Sequence, residues 1–157
     1  MAKYLAAKVF EHTAHYDALI SGYFNKKLKI TSPKTLTLTY EKMQDLRYGE
    51  NPHQDARFFG NLDELIVQLH GKELSFNNLV DVDAAITLIR DVEDTTFGVI
   101  KHTNTCGLAS RDNLVDAWKA ALAGDPISAF GGIVVCNRNI DKETAEEINQ
   151  LFLEVMI

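Results

Sequence analysis

The sequence predicts an α/β fold with a mostly parallel sheet. Two observations carry this. From residue 97 onward, short apolar runs alternate with helical stretches in the order strand, helix, strand, helix, strand. Strands joined by helices pair in parallel through right-handed crossovers. The composition, 46% hydrophobic and 24% charged over 157 residues, fits one ordinary folded domain rather than a disordered chain.

The elements follow from spacing. Leu5, Val9, Tyr16, Leu19, Ile20 and Tyr23 recur at helical intervals and predict a helix over 3–24, ended by Asn25-Lys26-Lys27. After Ser32-Pro33, the alternation Thr35-Leu36-Thr37-Leu38-Thr39-Tyr40 predicts a half-buried strand. Arg47 to Gln54 reads as a loop marked by Gly49 and Pro52, and Ala56 to Phe59 as a short strand. Asp81 to Arg90 is a predicted helix with Val82, Ala85, Ile86 and Ile89 on one face. A strand at 97–101 leads into the polar loop Thr103-Asn104-Thr105. A helix at 112–123 turns Leu114, Val115, Trp118 and Leu122 inward. Ile133 to Cys136 is a strand, Asp141 caps a helix to about Leu151, and Leu153 to Ile157 begins another strand. Both ends read as cut, one inside a helix and one inside a strand, so the expectation is a piece of a longer polypeptide.

Composition also excludes classes. A net charge of −6 argues against general nucleic-acid binding, which needs a basic face. No apolar run approaches the roughly 20 residues of a membrane helix, and Met1-Ala2-Lys3 opens an amphipathic stretch rather than a signal peptide. Cys106 and Cys136 make no disulfide framework, which fits a cytoplasmic protein with reduced thiols.

The candidate chemistry centres on Lys101-His102-Thr103-Asn104-Thr105-Cys106-Gly107, directly after the apolar run Phe97 to Ile100. Open α/β sheets bind ligands at the carboxyl ends of strands. Histidine titrates near neutrality, and an adjacent ammonium favours the neutral imidazole that a general base requires. Taken alone, such a pair reads first as a solvated strand end. Consecutive residues of a regular strand face opposite sides, so both serve one site only if the strand ends at about Lys101.

Other motifs accompany it. Arg47 offers a bidentate phosphate contact, Tyr48 a ring and hydroxyl, and Gly49 a tight turn. Ser75-Phe76-Asn77-Asn78 precedes the predicted helix, and its asparagines suit either a ligand or a local cap. In Ser128-Ala129-Phe130-Gly131-Gly132 the glycines permit close backbone approach, and Phe130 presents a ring. Each segment alone is also readable as ordinary loop or turn. Cys106 four residues after His102 invites a metal or thiol-nucleophile reading, but the sequence has no Cys-x-x-Cys, no His-x-Glu and no second ligand cluster.

Taken together, Leu46 to Gln54, Leu69 to Asn78, Lys101 to Gly107 and Asp125 to Gly132 resemble the bifunctional AICAR transformylase/IMP cyclohydrolase family of purine biosynthesis. Ala7 to Asp17 resembles the segment linking its two domains. The resemblance implies a three-layer, cytidine-deaminase-like unit without zinc over 31–157, preceded by a linker helix over 1–30 from the end of the cyclohydrolase domain. It implies formyl transfer from the co-substrate 10-formyltetrahydrofolate to 5-aminoimidazole-4-carboxamide ribonucleotide (AICAR), in a parent enzyme that is a homodimer and also an IMP cyclohydrolase. Lys101 and His102 match the catalytic pair. Arg47, Tyr48, Asn78, Phe130, Gly131 and Glu154 match positions that hold AICAR. Many members have proline where this chain has Thr105, so a looser loop after His102 is expected. The second half of the transformylase domain is absent, so this chain alone is expected to be inactive. The alternatives are a non-catalytic nucleotide-binding or interaction module on the same fold, and a zinc deaminase, which the missing ligand motif disfavours.

Overall fold

A computed structural model describes residues 1–157. The chain divides into two compact units, one of Met1–Asp45 with Arg57–Leu69, the other of Leu46–Ala56 with His70–Ile157.

In the first unit, helix α1 runs Ala2–Lys27, with strands β1 (Lys42–Asp45) and β2 (Arg57–Phe59) paired antiparallel. The expected apolar face of α1 is open: Leu5, Val9, Tyr16, Leu19, Ile20 and Tyr23 are all exposed and only Ala18 is buried. The strand expected at 35–40 does not form. Leu36 and Leu38 lie exposed, so the alternation has no covered face to reward it, and the ladder begins at Lys42 instead.

The second unit holds helices α2 (Phe76–Arg90), α3 (Leu114–Leu122) and α4 (Lys142–Ile148). Its strands are β3 (Thr96–Lys101), β4 (Asn104–Ser110), β5 (Ile133–Cys136) and β6 (Val155–Met156), ordered β4-β3-β5-β6. Only β5–β6 is parallel; β3 pairs antiparallel with both β4 and β5. The expected mostly parallel sheet is therefore corrected to a mixed one. The cause is a single missed strand. Asn104 to Ser110, where the sequence predicts a polar loop at Thr103-Asn104-Thr105 and no strand before the next helix, folds back on β3 as a hairpin and reverses the chain before α3. β4 and β5 then run the same way with β3 between them. Thr105 lies in this ladder opposite Ile100, so the looser loop expected there is absent.

Alternation along the strands splits the core. Phe97, Val99 and Val134 cluster with Ala117, Trp118 and Ala121 of α3 and Ile148 of α4. Phe97 meets the Trp118 indole edge-on, ring centroids 5.9 Å apart. Ile100, Ile133 and Val135 point to the other face, where α2 packs on β3 and β5. Close backbone approach joins β4 to α3: a Cβ at Gly107 would overlap the Ala121 carbonyl oxygen. In the ladder, Val99 faces Gly107 and Ile100 faces Thr105, which leaves Cys106 as the bulged residue.

Helix starts are set by side-chain caps. α2 begins five residues before Asp81 because Ser75 Oγ accepts the Asn78 N–H while Asn78 Oδ1 accepts the Ser75 N–H, a closed capping box. Asp141 caps α4 as expected, accepting the Thr144 N–H at 2.8 Å, and this bond holds its carboxyl below the usual aspartate range.

Candidate functional site

The site begins at the β3–β4 turn. Strand β3 ends on Lys101, whose ladder partner is Asn104, so His102 and Thr103 alone make the hairpin loop. Both have positive φ, 50° and 62°. Two-residue hairpins favour such left-handed pairs because their twist matches the strands, and they ordinarily recruit Asn or Gly. Histidine is uncommon there and β-branched threonine is an outlier. Each such residue costs about 1–3 kcal/mol, which the surroundings must offset. The left-handed turn also removes the geometric objection to a shared site. His102 leaves the pleat, so alternation no longer sends it and Lys101 to opposite faces.

Asp81 of α2, buried at 9% exposure, faces this turn. Its Oδ1 accepts the Thr103 N–H at 2.7 Å and its Oδ2 the His102 N–H at 3.3 Å. Thr103 Oγ1 and Asn104 Nδ2 both donate to the His102 carbonyl. The imidazole of His102 is exposed.

Lys101 Nζ donates to the Phe130 carbonyl at 2.7 Å. That carbonyl belongs to the 128–132 turn, where Gly131 has φ +69° and Gly132 leaves no room for a Cβ beside the Ile100 carbonyl. Asp125 starts the turn: the Ser128 hydroxyl and N–H stabilise its carboxylate and depress its pKa. The turn is bonded to 152–154, with Gly131 N–H on the Phe152 carbonyl and Glu154 N–H on the Gly132 carbonyl. The exposed Phe130 ring lies 5.5 Å from that of Phe152.

Glu154 and Asn78 both meet Arg47. Its Nη2 donates to Asn78 Oδ1 at 3.3 Å and lies 3.7 Å from Glu154 Oε2. The guanidinium stacks over the Tyr48 ring, 5.1 Å from its centroid. The Arg47 N–H donates to Leu74 O, and Tyr48 O accepts from Phe76 N–H, which ties this loop to the start of α2. A cleft of about 200 Å³ opens here, lined by Arg47, Lys72, Glu73, Leu74, Asn78 and 152–154.

The contacts close into a ring. They run from Arg47 to Asn78, along α2 to Asp81, to His102 and Lys101, across to Phe130 and Gly131, and through 152–154 back to Arg47. All eight residues singled out from the sequence lie on it or, like Tyr48, against it. Asn77, the other asparagine of the segment before α2, is not on it and instead donates to the Glu50 carbonyl. Asp81 was missed as a site residue. The sequence predicts a helix from Asp81, and only its true start at Phe76 puts Asp81 on one face with Asn78. A larger cleft of about 640 Å³ in the first unit includes His12, His15 and Glu41. Lys8 and Lys42 also line it, but no side-chain amide and none of the residues that the resemblance matches to the AICAR site does, and that chemistry rather than volume selects the smaller one. The thiol of Cys106 is pushed up by burial and by Asp125, the reverse of what a nucleophile needs. No cluster of three His, Cys, Asp or Glu side chains is placed to hold a metal.

These features define an α/β protein with a polar, amide-lined site at the end of a central strand, where the cations Arg47 and Lys101 stand with the carboxylates Asp81 and Glu154. Comparison with known proteins sharpens this. The model of the AICARFT/IMPCHase bienzyme matches residues 1–157, and the chain belongs to that family. It is 52% identical over 98% of its length to the bifunctional purine biosynthesis protein PurH of Ruminiclostridium cellulolyticum, covering 31% of that protein. Against PurH of Acetivibrio thermocellus the identity is 49%, with the same coverages. Against PurH of Bacteroides thetaiotaomicron it is 48%, over 99% of this chain and 30% of the relative. The chain thus spans about a third of the length of the curated relatives it matches.

Proposed function

We propose that this chain carries the catalytic Lys-His half of an AICAR formyltransferase site, within a protein that is also an IMP cyclohydrolase. The observation that carries the reading is the ring of contacts, which gathers every family-matched residue around one strand end. The AICAR amine attacks the formyl carbon of 10-formyltetrahydrofolate, and the bond from that carbon to folate N10 breaks. The amine is a poor nucleophile because its lone pair is delocalised into the imidazole ring. His102 takes its proton as it attacks. Lys101, with donors to spare beyond the one on Phe130 O, stabilises the oxyanion of the tetrahedral intermediate. The leaving folate nitrogen gains a proton in return.

Arg47 and Tyr48 hold the nucleotide, with Asn78, Phe130, Gly131 and Glu154 lining the AICAR site. A 200 Å³ cleft is small beside ligand pockets of roughly 300–1,000 Å³, which fits a site completed by other parts of the enzyme. The reading extends to a cytidine-deaminase-like unit over 31–157, a linker helix over 1–30, a homodimer and a cytoplasmic setting. No helix is long and apolar enough to cross a membrane.

A chimera tests this. This chain replaces its counterpart in a PurH relative. The chimera is expected to transfer formyl groups to AICAR, its His102→Ala form to lose at least about 100-fold in turnover, and the 157-residue chain alone to show none. An inactive chimera that folds normally, or turnover by the chain alone, contradicts the reading.

A further inference from the structure

Nothing in the family match gives Asp81 a role, yet its geometry is specific. A hairpin that turns on His102 and Thr103 places two non-glycine residues in a left-handed conformation they disfavour. Neither brings a local device sufficient to hold it. The Thr103 hydroxyl and the Asn104 amide satisfy the His102 carbonyl, but both N–H groups of the turn point away from the ladder, toward α2. There one buried carboxylate receives both, one oxygen each. Its placement is itself determined: Asp81 lies one helical turn beyond Asn78, whose side chain closes the α2 cap and receives Arg47. The same helix face therefore fixes the arginine and the catalytic turn together.

We propose that Asp81 is the positioning residue of this site: its carboxylate holds the left-handed His102–Thr103 turn and so sets where His102 presents its ring. The functional half of this rests on the formyl-transfer reading; the structural half does not. A carboxyl group that receives two N–H donors, one on each oxygen, also explains why a residue type rarely buried stands here.

The test reads the turn directly. In the 157-residue chain, amide hydrogen exchange by NMR is compared for wild type and Asp81→Ala. His102 and Thr103 amides are expected to exchange at least tenfold faster in the variant, with Val99 and Val134 unchanged as the control for folding. Asp81→Asn, which keeps one acceptor, falls between, and it supplies the comparison if the alanine form does not fold. Thr103→Gly relieves the left-handed constraint, so in that background Asp81→Ala changes His102 exchange less than threefold. In the chimera, Asp81→Ala lowers kcat at least tenfold and leaves KM for AICAR within twofold; adding Thr103→Gly recovers part of the kcat. A merely structural aspartate would not give that split or that rescue. Unchanged exchange in the folded variants overturns the proposal, and so does faster exchange with undiminished kcat. An inactive wild-type chimera counts against the formyl-transfer reading alone, and the exchange rates then decide on Asp81.

Discussion

Lys101→Ala in the chimera is expected to lower formyl-transfer turnover by about 100-fold or more, the usual consequence of removing one oxyanion donor, near 3 kcal/mol. The substitution removes an ammonium that the Phe130 carbonyl anchors at 2.7 Å, so no other cation inherits its position. Arg47 lies on the Tyr48, Asn78 and Glu154 side of the ring. Because Arg47 and not Lys101 is assigned to the nucleotide, KM for AICAR should move far less than kcat. That pattern marks an interaction made chiefly in the transition state. Lys101→Arg should recover little, since a planar guanidinium cannot occupy the ammonium position on that carbonyl with the same geometry. Steady-state kinetics at saturating folate decide the matter, and turnover within threefold of wild type would remove Lys101 from the mechanism.

The largest stability effect should come from Gly107→Ala. The added Cβ would overlap the Ala121 carbonyl, a backbone atom of α3 that cannot swing aside as a side chain would. Relief requires α3 to withdraw from β4, and Ala117, Trp118 and Ala121 are the core residues that α3 supplies. Overpacking typically costs about 1–3 kcal/mol, and a clash between two backbones belongs at or beyond the upper end. A loss of at least about 3 kcal/mol is expected, a large fraction of the roughly 5–15 kcal/mol that holds an ordinary domain folded. Denaturant titration followed by Trp118 fluorescence measures it. Gly22→Ala is the control, because a Cβ there meets nothing within 4 Å. An unchanged midpoint for Gly107→Ala would mean that β4 and α3 are not packed as described.

Much of this was legible in the sequence, for physical reasons that differ by element. α3 and β5 were read closely because Trp118 and the Ile133-Val134-Val135 run are deeply buried, and burial imposes periodicity. β4 was missed because its segment, Asn104 to Ser110, is polar and small-residued and its turn lacks the Asn-Gly or Asp-Gly signal. That one omission turned a hairpin into a loop and an antiparallel pair into an expected parallel one. The start of α2 was missed because asparagine, rather than the usual Glu or Gln, closes its capping box. The site residues are proposed through resemblance, which carries residue identity without geometry. Asp81 escaped because its function here is to bind backbone, and no side-chain motif records which carboxylate will meet a strained turn.

On the proposed reading, the ring from Arg47 to Lys101 forms a nucleotide subsite already assembled on this chain. Calorimetric titration of AICAR into the 157-residue protein, with His102→Ala as the paired sample, tests it most directly. Saturable binding in the micromolar range, weakened by the substitution, is the predicted result. Wild-type protein that is folded by NMR yet takes up no AICAR at millimolar concentration would contradict it.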